Sequence, residues 1–154
     1  MTTTTYSAAV DEINSIFWND WNSAKTSDIV GYVPDVRWEF VESQALPDSS
    51  KAWCRVSTQT VGVEQTTLSD SVCEQGTRRY TATGLVFVQI FCPKSLAQAG
   101  EFGRALSQVA RNSFRGKSTP SGIWFRNARV NELPMEDLYY RFNVISEFEY
   151  DERG

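Results

Sequence analysis

The sequence contains no histidine. That removes the one side chain whose ordinary pKa lies near neutrality, and with it the imidazole base of Ser–His and Cys–His nucleophile pairs. Cysteine is scarce too, with Cys54, Cys73 and Cys92 far apart in the chain. Zinc needs clustered Cys or His ligands, which this spacing does not supply. Cys54 and Cys92 fall in strand-like runs and read as small buried hydrophobes. Cys73 lies in a polar loop as a thiol, consistent with a reducing compartment. Gly100 and Gly103 fit neither a Walker A loop nor a dinucleotide fingerprint, so they read as close helix-to-sheet packing. No run approaches the ~18 apolar residues of a membrane span. The first residues lack the basic start and apolar core of a signal peptide, so a soluble chain made in the cytoplasm is expected. Positive charge is in deficit: 15 Lys and Arg stand against 19 Asp and Glu, for a net charge of −4. This argues against nucleic acid as the principal partner.

What the sequence does have is apolar and aromatic surface, with five Trp, six Tyr and nine Phe in 154 residues. That length suits one domain over residues 1–154 with a single core. The organising stretch runs from Arg79 to Asn112. Val86, Val88 and Ile90 alternate with Leu85, Phe87 and Phe91, and Pro93 ends the run. A strand apolar on both sides is expected to lie centrally in its sheet and to be covered on both faces. Ser95 to Gln98 has the form of a capping box. Leu96, Ala99, Phe102, Leu106, Val109 and Ala110 then make one helical stripe.

Before this stretch, Ala9, Ile13, Phe17 and Trp21 trace a helix from about Thr5 to Trp21, with Asp11 and Glu12 expected to favour its N-terminal dipole. Trp18 and Trp21 cannot both sit at the centre of one stripe. Residues 22–35 read as a polar linker and Val36 to Phe40 as a short strand. Trp53 to about Gln65 reads as a longer strand with a bulge at Gly62. Thr66 to Arg78 is a polar connection long enough to be functional or mobile. Beyond the second helix, Ile123 to Val130 is strand-like, and Glu132 to Asp137 is expected to turn through Pro134. In the last strand Tyr140, Phe142, Val144, Phe148 and Tyr150 oppose Arg141, Asn143, Glu147 and Glu149, the pattern of a half-solvated strand. The fold expected is α+β: a single mixed or antiparallel sheet with two helices, in the order α-β-β-β-α-β-β.

Chemistry-bearing groups are few. Glu147, Glu149, Asp151 and Glu152 could ligate a hard cation but read as a solvated strand face, and Asp137 with Tyr139 and Tyr140 reads as ordinary core and edge aromatics. No constellation marks an enzyme, and no cofactor or metal is expected. Arg78 and Arg79, which close the long loop, and Arg126 and Arg129, separated by an odd interval in one strand, are candidates for charge pairing across a protein interface. Glu147, Glu149 and Asp151 are their candidate partners. The aromatic surplus also suggests burial against another subunit.

In element order and apolar pattern the chain resembles the tail terminator proteins of long-tailed bacteriophages. The likeness is carried by Val36-Arg-Trp38-Glu-Phe40, by Ala52-Trp-Cys-Arg-Val-Ser, and by Arg79 through Gly84 with Val88-Gln89-Ile90-Phe91 and Pro93. It continues in Phe114-Arg115-Gly116 and in Tyr140-Arg-Phe-Asn-Val144 with Phe148-Glu-Tyr150-Asp. The resemblance implies a virion protein that forms a hexameric ring on the head-proximal end of the tail tube. Such a ring stops tube elongation and meets the neck or connector, with no active site and no cofactor. Its partners would be copies of itself, the tail tube protein and the neck protein, with no membrane and no primary nucleic-acid role. Two other expectations stand beside it: a different neck, completion or minor tail protein, or a small α+β ligand-binding or enzyme domain.

Overall fold

A computed structural model describes residues 3–41, 48–65, 79–136 and 138–153. Its elements are α1 (Tyr6–Trp21), α2 (Ala24–Val30), β1 (Asp35–Arg37), β2 (Trp53–Gln65), β3 (Arg79–Pro93), α3 (Ala99–Phe114), β4 (Trp124–Glu136) and β5 (Tyr139–Arg153). The five strands form one sheet in the order β1-β2-β3-β5-β4. β1 runs parallel to β2 and all other neighbours are antiparallel, so the sheet is mixed and the α+β expectation holds.

β3 is central, as its composition required, but the helices cover only one of its faces. Ala82, Val86, Val88, Ile90 and Cys92 are buried with Val56, Val144 and Phe148 beneath α1 and α3. Leu85, Phe87 and Gln89, on the other face, remain half-buried. Alternation on both sides reports a tendency to be covered; it does not say that this chain supplies both covers.

Among the described residues there are three helices, not the two expected. Residues 22–35, expected as a linker, contain α2. Ser23 caps it by accepting from the Lys25 N–H, and the buried Thr26 hydroxyl donates to the Trp21 carbonyl at 2.6 Å. Gly31, at φ +84°, ends it in the left-handed region where glycine carries no steric penalty. Seven residues, of which only Ala24, Ile29 and Val30 are apolar, are too few to show a periodic stripe. α1 matches its expected span and is capped by Thr5, which accepts from the Ala8 N–H, but its first turn holds no acidic residue. The expected dipole contribution of Asp11 and Glu12 is therefore not made there. Trp21 is fully buried, its indole N–H donating to the Pro34 carbonyl, whereas Trp18 is 38% exposed.

α3 begins at Ala99, not Ser95. Gln98 at its N-cap lies in the left-handed region with no side-chain cap, so the capping box does not form. The chain leaving Pro93 makes a turn instead, with the Leu96 N–H on the Pro93 carbonyl. Gly103 packs as expected: a Cβ there would collide with the Phe142 ring. Gly100 meets nothing of the kind. The expected turn through Pro134 is also absent, since β4 continues to Glu136 with an irregular register after Leu133. An edge strand has one unpaired side, which tolerates a residue lacking an N–H. The bulge expected near Gly62 is present between Thr60 and Gly62. Cys54 and Cys92 are buried free thiols, as read; burial raises both pKa values, that of Cys92 to about 12. Cys73, Arg78, Asp137 and the connection 66–78 lie outside the described residues.

Candidate functional site

The helix-free face of the sheet is built from alternate residues of four strands in register. One row runs Trp53–Phe91–Arg141, the next Arg55–Gln89–Asn143, then Ser57–Phe87–Ile145, then Gln59–Leu85–Glu147. β4 adds Arg129 beside Ile145, Arg126 beside Glu147 and Trp124 beside Glu149. The face is thus a mixture of rings, amides and charges, unlike the apolar face under the helices.

The same short pattern, Trp-x-Arg, occurs on two of these strands. On β4 the Arg126 guanidinium lies 5.5 Å from the centre of the Trp124 ring. On β2 the Arg55 guanidinium lies 5.8 Å from Trp53 and 5.6 Å from Phe91. Residues i and i+2 share a strand face, so the arginine folds back over its own tryptophan and gains a cation–π contact. Trp53 and Phe91 stack at 4.1 Å, and Tyr139 meets both edge-on at 6.2 and 5.9 Å, making an aromatic floor under Arg55.

Four of the expected interface residues come together on β4 and β5. Arg126 reaches Glu147 at 3.5 Å and Glu149 at 3.7 Å, and Arg129 reaches Glu147 at 3.9 Å. An odd interval should send Arg126 and Arg129 to opposite faces. A bulge between them, with Asn127 at φ +54°, restores a common face. The Asn127 amide also donates to Glu147 at 2.7 Å. These charges, read from sequence as partners across an interface, are matched within one subunit. Asp151 is brought near Thr81, whose hydroxyl donates to it at 2.8 Å. Arg79 stands half-buried at the start of β3, in register with Arg153.

Arg55 was not singled out in the sequence, although its Trp-x-Arg signal is legible there. It differs from Arg126: among the described residues no carboxylate lies within ion-pair distance of it. It lines a cleft of about 170 Å³ with Ser57, Phe87, Gln89 and Asn143. The Asn143 Oδ1 is buried without a hydrogen-bond partner, which leaves an acceptor to be satisfied.

A larger cavity, about 510 Å³, opens between the start of α3 and strands β4 and β5, with Tyr140 in its wall. Arg104 spans it, donating to Glu132 at 2.6 Å. That hydrogen bond pulls the Glu132 carboxyl below its ordinary range and raises the Arg104 guanidinium. Both groups are held charged, the reverse of what proton transfer near neutrality requires. Among the described residues no three Asp, Glu or Cys side chains gather where they could hold a metal ion. No helix there is long and apolar enough to cross a membrane.

No family model matches the chain, and no curated protein matches it. Among solved structures, a protein whose name states no function aligns over 91% of this chain and 94% of its own length, with a TM-score of 0.55 and 11% identity. That likeness shows a shared fold along nearly the whole chain and nothing about activity.

Proposed function

We propose that this chain is a structural subunit of the tail terminator type. On this reading it assembles into a ring on the phage tail tube, stops elongation and offers a surface to the neck. The observation that carries the reading is the helix-free sheet face, with its rings and charges in four strand-spanning rows. A single domain that leaves one whole face of its sheet without helices has a surface suited to neighbours, and a ring needs such a surface. The α+β order supports the reading, as do the residue patterns shared with the family. Arg104 and Glu132 in the cavity of about 510 Å³ are paired and held charged rather than poised for proton transfer, which supports a role in assembly over an enzymatic one.

The test is electron microscopy of particles made without this protein. Abnormally long tails are expected. Tails of normal length detached from heads would instead assign the protein to joining, and normal particles would remove it from the tail altogether.

A further inference from the structure

We propose that the cleft around Arg55 receives a carboxylate from a second copy of this chain, namely Asp11 on the outward stripe of that copy's α1. The proposal deepens the ring reading and rests on it. Arg55 is held in place by two rings, and among the described residues it has no carboxylate partner, whereas Arg37, Arg104, Arg126 and Arg129 each have one. The other residues lining the cleft, Ser57, Phe87, Gln89 and Asn143, are uncharged, so its wall gives Arg55 no counter-charge. The cleft's volume of about 170 Å³ accommodates one side chain and falls short of the ~300 Å³ at which small-molecule sites begin.

The chain itself supplies the complement. It is acidic, at −4, so contacts that bring positive and negative surfaces together favour association of identical copies. α1 buries Ala9, Ile13, Phe17 and Trp21, which turns Asp11, Ser15 and Trp18 outward at helical spacing. Asp11 has no ion-pair partner among the described residues, and Trp18 lies edge-on to Trp38 at 6.1 Å beside a shallow groove. Asp11 thus presents an outward carboxylate to match the guanidinium that Arg55 holds beside Phe87. Because the two surfaces differ, each copy uses its sheet on one neighbour and α1 on the other, the head-to-tail arrangement that closes into a ring.

The experiment is sedimentation equilibrium of the full chain at low ionic strength, with a melting curve for each variant. The wild type is expected to self-associate. Arg55→Glu and Asp11→Lys should each weaken association roughly tenfold or more. An equimolar mixture of the two variants should restore it, since opposite charges meet again. Arg55→Gln serves if Arg55→Glu unfolds. A wild type that stays monomeric at about 1 mM, or association indifferent to either substitution, overturns the contact. The outcomes separate from those for tail capping. A chain that caps tails without using Arg55 sinks only this contact. One that associates through Arg55 but whose loss leaves tails normal sinks only the terminator reading.

Discussion

The two Trp-x-Arg pairs on the helix-free face carry the same local chemistry and differ in their surroundings. Arg126, over Trp124, meets Glu147 and Glu149 on the adjacent strand. Arg55, over Trp53 and Phe91, meets Gln89 and Asn143 in its row and no carboxylate among the described residues. The same motif is therefore closed at one site and open at the other. A charged residue on a sheet face becomes informative only when its neighbours across the strands are known. Charge density alone pointed to the half of the face that is already satisfied.

A wider version of the comparison sets the covered face against the free one, and the largest expected effect lies beneath the helices. Phe114 is fully buried and contacts Phe17 and Phe125. Phe114→Ala should cost about 3–5 kcal/mol by chemical denaturation, while Phe87→Ala on the free face should cost well under half of that. Equal losses would mean that both faces are covered in the free subunit. Gly103→Val should destabilise by about 1–3 kcal/mol, because its side chain would meet the Phe142 ring. The same substitution at Gly100, where a Cβ meets nothing, should be neutral or slightly stabilising, within about 0.5 kcal/mol, because valine forms helix a little better than glycine.

Alkaline pH distinguishes the faces in another way. Burial pushes the Cys92 thiol and the Tyr150 phenol, both on the covered face, up to about 12. The folded state favours their neutral forms. The stability they contribute is therefore intact below their ordinary values of 9.0 and 10.0 and is lost as pH rises from there towards about 12. Denaturation at stepped pH should show this decline, and Tyr150→Phe should make its upper part shallower. The smallest effect belongs to the closed half of the free face. Arg126 is half exposed, so Glu147→Gln should change stability by only ~0–1 kcal/mol, less still at high salt.

How much of this was legible beforehand depends on whether one strand or several carry the signal. β5 was read correctly because its two sides differ in polarity; the central place of β3 was legible because its apolar run and Pro93 are local, but not that the helices cover only one of its faces. α1 was legible from four residues at helical spacing. α2 was not, since its seven residues are too few for a periodic pattern and fully bury only Thr26. The start of α3 was misplaced because Ser95 and Gln98 match a capping pattern that the left-handed Gln98 backbone does not use. The common face of Arg126 and Arg129 depends on a bulge at Asn127, which strict alternation conceals. Arg55 was missed for a related reason: its lack of a carboxylate belongs to neighbours on β3 and β5, thirty to ninety positions away in the chain.

The central claim is that the β2–β3 half of the free face meets another subunit. Hydroxyl-radical footprinting of the assembled protein beside the dilute protein tests it most directly. The account predicts that Phe87 and Tyr139 lose reactivity on assembly, together with Trp18 on α1, while Trp124 on the closed half keeps its own. Unchanged reactivity around Arg55, or protection centred on Trp124 instead, would contradict it.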